Sequence, residues 1–260
     1  MKRIISILAL VLIVTTFFLY LRRAMRAPGR VDIPQPTPAQ SLGSQIKTID
    51  FQGQKYGYEV IKVSTPAALT LIPNFQEKLI TEELIAKNTC ASAVSGGFYT
   101  EDAKPLGLFI LGKNTLSKVK KSTLFNGFFW MGSNNHVGID YDLPVGTDFR
   151  FALQSGPIVL YQGKPIILKL SSDKPARRIL VGVDKQKTMF FIIVYNPDVT
   201  VLGPNLTDLP GIVGEISTTQ DLELDSAINL DGGRASAFYT SELTLAESNP
   251  VGSLFCLTGP

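Results

Sequence analysis

Apolar and polar positions divide the chain into three unlike stretches. Residues 4–21 form an apolar run without a charge, preceded by Lys2 and Arg3. A run of about 18 such residues is at the lower limit for a membrane-spanning helix. The following Leu21-Arg22-Arg23-Ala24-Met25-Arg26 offers no small-x-small cleavage site, so an uncleaved anchor is expected over residues 1–26. Residues 27–45 are rich in Pro, Gln and Ser, the composition of a semi-extended linker. From residue 46 to 260 the pattern becomes that of a packed domain. Alternation around Phe51, Tyr56, Tyr58, Val60 and Ile61 predicts opening strands over 47–63. The apolar stretch 69–72 is too short to assign, and Pro73 ends any strand there. Residues 81–87 read as a short helix with Thr81 as N-cap and Glu82 and Glu83 in its first turn. Further strands are predicted over 90–94, 149–160, 179–183, 189–195, 226–230 and 252–257. The pair around Asp184-Lys185-Gln186-Lys187 reads as a hairpin. A helix over 205–215, capped by Asn205 or Thr207, completes the set. Many short strands and few helices predict one α+β, sheet-dominated domain after the anchor.

One stretch carries candidate chemistry. The strand ending at Leu230 stops at Asp231-Gly232-Gly233, and apolar alternation resumes at Ala235. Paired glycines let another group approach the backbone closely, so the turn can aim Asp231 and several N–H groups into one cavity. An ordinary Asp-Gly hairpin corner fits the same residues. Two other stretches are similarly double-edged. Ser95-Gly96-Gly97-Phe98-Tyr99 suggests backbone and aromatic rings near a ligand, or a glycine bulge in a packed strand. Gln154-Ser155-Gly156-Pro157 offers donors to hydroxyls or phosphate, or simply a turn.

Composition removes several function classes. Lys2, Arg3, Arg22, Arg23, Arg26 and Arg30 all contribute to the net charge of +3, which leaves the domain near neutrality. No basic stripe interleaved with aromatics is present, so a nucleic-acid partner is not expected. His136, the single histidine, lies in the polar stretch Gly132-Ser133-Asn134-Asn135-His136, and the two cysteines are far apart. Neither a His/Cys metal cluster nor a cofactor is expected. Glu101, Asp102, Asp140 and Asp142 stand in polar, turn-like contexts and read as solvated loop acids.

Asn229-Leu230-Asp231-Gly232-Gly233, followed by small residues including Ser236, resembles the signature of the phosphodiester glycosidase domain family. Ser95-Gly96-Gly97-Phe98-Tyr99 with Pro105-Leu106-Gly107, Gln154-Ser155-Gly156-Pro157 with Gly163, and Arg178-Ile179-Leu180-Val181-Gly182 resemble three further family stretches in the same order. Asn126-Gly127-Phe128-Phe129 also resembles the first of these three. The resemblance implies a hydrolase that splits a sugar-1-phosphodiester at its glycosidic bond. It implies Asp231 and Arg178 as catalytic residues. Asn229, Gly232, Gly233, Ser236, Gln154, Ser155, Gly156, Ser95, Gly96, Gly97 and Phe98 are implied around the substrate. Ser95 departs from the family's asparagine and Arg234-Ala235 from its small Gly-Ser pair, which leaves a noncatalytic glycan-binding or envelope protein as the alternative. The family also implies export, with a membrane-anchored domain outside the cytoplasm. In that setting Cys90 and Cys256 form a disulfide or remain two buried thiols.

Overall fold

The computed structural model describes residues 46–259. The predicted anchor, the whole predicted linker and Pro260 lie outside the described residues. Three antiparallel sheets form the domain. The largest has seven strands in the order Lys47–Phe51, Gln54–Val63, Met189–Tyr195, Arg178–Asp184, Leu224–Asn229, Ile158–Tyr161, Lys164–Pro165. All seven residues of Met189–Tyr195 are buried, as an unbroken apolar run demands when both faces of a strand are covered. One five-stranded sheet runs Thr244–Leu245, Phe238–Tyr239, Cys90–Ser95, Ser253–Thr258, Leu69–Pro73. The other runs Asn114–Ser117, Phe109–Leu111, Phe149–Ser155, Gly127–Gly132, Val137–Asp140.

The main core lies where the three sheets meet. Phe255 has its ring centroid 5.0 Å from Phe191, 5.5 Å from Phe129 and 5.5 Å from Phe151, so one ring touches aromatics of the other two sheets. The opposite face of the seven-stranded sheet packs Leu180, Ile192 and Val194 against Leu209, Ile212 and Ile216 of a helix. A disulfide joins Cys90 to Cys256 across two neighbouring strands, with Cα atoms 5.3 Å apart.

Most predicted elements are present. The 179–183 and 189–195 hairpin forms, with Ile179 opposite Ile193. The opening strands pair through a turn at Gln52 and Gly53, both at positive φ. Pro73 closes an edge strand, where its missing N–H costs no ladder bond. Helix α1 covers Thr81–Asn88, but Thr81 is its first helical residue rather than its cap. The first-turn bond is made by the Ile80 N–H donating to Glu83 Oε2. Helix α2 covers Leu209–Thr219, four residues later than predicted. The reason is Asp173, whose carboxylate accepts hydrogen bonds from the Leu206 and Thr207 N–H groups and holds that segment in a turn. Pro210 then suits the first helical turn, where no N–H is required. The 149–160 stretch is two strands, Phe149–Ser155 and Ile158–Tyr161, in different sheets. Among the described residues no helix is long and apolar enough to cross a membrane.

Candidate active site

The Asp231 turn is not a hairpin corner. Leu224–Asn229 belongs to the seven-stranded sheet and Phe238–Tyr239 to a five-stranded one, so the chain crosses between sheets here. Gln154-Ser155-Gly156-Pro157 is a second crossing, from the other five-stranded sheet into the seven-stranded one. Gly96-Gly97 is a third, where the chain leaves Cys90–Ser95 on its way to Phe109–Leu111. The crossings are tied together by backbone. The Asp231 N–H donates to Gly96 O at 3.0 Å, the Gly156 N–H donates to Asn229 O at 3.0 Å, and the Asn229 N–H donates to Pro157 O at 3.0 Å. Three stretches far apart in sequence thus meet around one carboxylate.

Each crossing needs its small residues for a concrete reason. A Cβ on Gly96 would strike the Ser253 hydroxyl, and one on Gly156 would strike Leu124 O. A Cβ on Gly232 would come 2.6 Å from Arg177 O. Gly233 sits at φ +63° and donates its N–H to Arg177 O at 2.8 Å. Leu230, one residue before the turn, donates to Ile179 O at 2.8 Å and fixes the strand end.

Asp231 has the most perturbed carboxyl of the site. Burial raises its pKa to about 8, and the one opposing influence is a hydrogen bond from the Gly232 N–H. The carboxyl therefore holds its proton at neutral pH. Tyr99 is close enough for burial, then the Asp231 and Glu247 charges, to raise its phenol. Its hydroxyl donates to Pro250 O at 2.6 Å.

Two neighbouring arginines go to opposite sides, as alternation along an extended chain requires. Arg178 donates to Pro204 O and Lys174 O and pairs with Asp173 at 3.5 Å, on the side facing α2. Burial acts to raise the Asp173 carboxyl. It is outweighed by hydrogen bonds from Leu206 and Thr207 and by the Arg178 charge, so the net shift is downward. Arg177 turns inward, toward Ser236 and Ala246. Its Nε donates to Ser236 Oγ at 2.6 Å, and its Nη2 donates to Ser236 O and, at 2.7 Å, to Ala246 O. Burial lowers its pKa to about 10, against the opposing charge of Glu247. Those three bonds use three of the five guanidinium N–H groups, and Nη1 has no partner among the described residues. Arg178, expected in the site, is thus committed elsewhere, and Arg177 is the arginine bonded to the turn. Ile179 and Leu230 share the inner core, so Arg177 lies on that face and Arg178 does not.

Several expected substrate contacts are instead internal ties. Gln154 accepts from the Leu108 and Lys120 N–H groups and donates to Lys120 O and Phe125 O, which uses its whole amide. Ser155 donates to Asn229 O at 2.6 Å, and Ser95, fully buried, donates to Asp231 O at 3.3 Å. Ser236 donates to Gly233 O at 2.6 Å. Asn229 gives Nδ2 to Gly156 O at 3.1 Å but leaves Oδ1 buried with no partner. Phe98 packs on Phe125 with centroids 4.8 Å apart. The similar stretch at 126–129 is core: Asn126 Oδ1 accepts from the Ile158 N–H, and Phe128 and Phe129 are buried. Among the described residues no group of three or more His, Cys, Asp or Glu is placed to hold a metal.

This architecture matches solved structures. The catalytic domain of the zebrafish N-acetylglucosamine-1-phosphodiester alpha-N-acetylglucosaminidase, auto-inhibited by its pro-peptide, aligns with a TM-score of 0.63 at 17% identity, covering 83% of this chain and 82% of that one. A hypothetical protein from Synechocystis aligns with a TM-score of 0.51 at 14% identity, covering 81% of this chain and 61% of that one. At such identities the likeness is one of fold. No curated protein matches the chain. The family model for phosphodiester glycosidase matches residues 88–257, a span that holds all three crossings and both arginines. The chain belongs to the phosphodiester glycosidase family.

Proposed function

We propose that the protein hydrolyses a sugar-1-phosphodiester at the C1–O bond, with Asp231 as the proton donor and Arg177 as the phosphate-holding cation. The observation that carries this reading is the convergence of the three family stretches on one turn, where Asp231 is tied to Gly96 and Asn229 to Gly156 and Pro157, with burial pushing the Asp231 carboxyl up to about 8. A phosphodiester is anionic, and an anion beside Asp231 favours the protonated carboxyl further. The neutral acid hydrogen-bonds the bridging oxygen as negative charge develops on it. Water adds to C1, the phosphate leaves as a monoester, and the proton Asp231 gives up is replaced by the one the water releases. Nη1 of Arg177 is the part of the guanidinium left to donate to a phosphate oxygen.

An extracytoplasmic, membrane-tethered setting is part of the proposal. It is supported by the apolar run at residues 4–21 in the sequence and by the Cys90–Cys256 bond, since disulfides persist in oxidising compartments. The test is release of free sugar from a panel of sugar-1-phosphodiesters by the fragment from residue 46, beside Asp231→Asn. Turnover by the unaltered protein alone supports the reading. Equal turnover by Asp231→Asn overturns the role of that residue, and silence across the panel with retained ligand binding returns the protein to the noncatalytic alternative.

A further inference from the structure

A second cleft, of about 340 Å³, opens along the seam between the seven-stranded sheet and the edge strand Val137–Asp140. Trp130 and Asp140 line it from one sheet; Tyr161, Gln162, Asp225 and Ser226 line it from the other. It lies away from the Asp231 turn. Asp225 is near the opposite end of the strand that delivers Asn229, and four residues of extended chain separate them by roughly 13 Å.

The Trp130 wall is a built feature. Its indole N–H donates to Asp140 Oδ2 at 3.2 Å, which fixes the ring across the neighbouring strand. The ring lies directly over residue 138, which must be glycine: a Cβ there would stand 2.6 Å from indole Cε2 and 2.9 Å from Nε1. Gly138 has no left-handed backbone angle and stands inside a regular strand, so the turn geometry that usually calls for glycine is absent. Glycine in a strand interior costs stability relative to alanine. What that cost secures here is the position of the indole.

We propose that this cleft binds neutral oligosaccharide, at a site separate from the Asp231 turn. Trp130 and Tyr161, both partly exposed, offer aromatic surface to the C–H faces of a sugar. Asp140, Asp225, Gln162 and Ser226 supply acceptors and donors for ring hydroxyls. Asp140 and Asp225 outnumber Lys187, the one lysine of the lining, which disfavours phosphate and directs the cleft to the uncharged part of a glycan rather than to its phosphodiester. The volume falls at the small end of ligand sites, enough for one or two sugar rings of a longer chain. The proposal does not rest on turnover at Asp231.

Trp130 is the only tryptophan in the chain, so intrinsic fluorescence reads this cleft without background. The unaltered fragment is titrated with neutral tetrasaccharides of glucose, mannose, galactose and N-acetylglucosamine. A saturable fluorescence change with at least one of them is expected. That binding should be at least fivefold weaker in Asp225→Ala and in Tyr161→Ala, each confirmed folded by its thermal melt, and unchanged in Asp231→Asn. Should Tyr161→Ala fail to fold, Asp225→Ala decides alone. No saturable change across the panel, with no heat in a calorimeter, overturns the proposal. So does binding that ignores Asp225→Ala or disappears in Asp231→Asn.

Discussion

At the scale of the residue, Asp231 gives the sharpest test because its proton has a direction. In the unfolded chain the carboxyl titrates near about 3.9, and in the fold burial raises it to about 8. The neutral form's contribution to stability is therefore complete below the unfolded value. It is lost as pH rises through about 8, with a limiting slope of about 1.4 kcal/mol per pH unit. Denaturant melts from pH 5 to pH 9 should show this decline in the unaltered protein and a flatter profile in Asp231→Asn. Turnover should fall over the same upper limb, because the acid that donates is the protonated one. The arginines separate cleanly. Arg177→Gln should lower kcat/KM by roughly 10- to 100-fold, the range for a charge-assisted phosphate contact. Arg178→Gln should leave kcat/KM within about threefold and lower stability by roughly 1 kcal/mol, as expected for a partly buried pair. Kinetics with a matched thermal melt for each variant distinguish the two. That an apolar strand stops at Asp231 and its two glycines was legible in the sequence, but the same residues also fitted a hairpin corner. The choice between Arg177 and Arg178 was not, because it turns on which residue starts the inward face of a strand.

At the scale of the element, the crossings explain why some motif residues serve the fold rather than the ligand. Gln154 makes four hydrogen bonds to backbone and thereby fastens the segment 120–125 beside the turn. Gln154→Leu should cost about 2–4 kcal/mol, since it leaves buried backbone groups unpaired. It should also raise KM more than it lowers kcat, because the loosened segment carries Phe125 against Phe98. Urea melts and steady-state kinetics check both. Strand positions were readable from alternation, and the Arg178–Asp184 and Met189–Tyr195 hairpin formed as predicted. Sheet membership was not readable. A period of two marks which side of a strand is buried, but Ile158 and Leu153 belong to different sheets although only Gln154-Ser155-Gly156-Pro157 separates them. The late start of α2 was hidden for a similar reason, because its cause, Asp173, lies more than thirty positions earlier in the chain.

At the scale of the molecule, the three sheets share one aromatic centre at Phe255, on the strand that also carries Cys256. Reduction of the disulfide, or Cys256→Ser, should cost about 2–5 kcal/mol by freeing a long loop in the unfolded chain. Because the strand runs between Cys90–Ser95 and Leu69–Pro73, the loss should appear as one cooperative transition rather than as fraying of an end; calorimetry with and without reductant reads this. The same bond also changes what a cut can do. Cys90 and Cys256 lie 166 positions apart and close nearly the whole family-matched region into a covalent ring. A single backbone cut inside a ring opens it without dividing it. A protease that nicks an exposed loop such as 144–147 would leave both pieces joined and the Asp231 turn still held by its neighbours. Two independent insults, a nick and a reductant, are needed before the molecule comes apart.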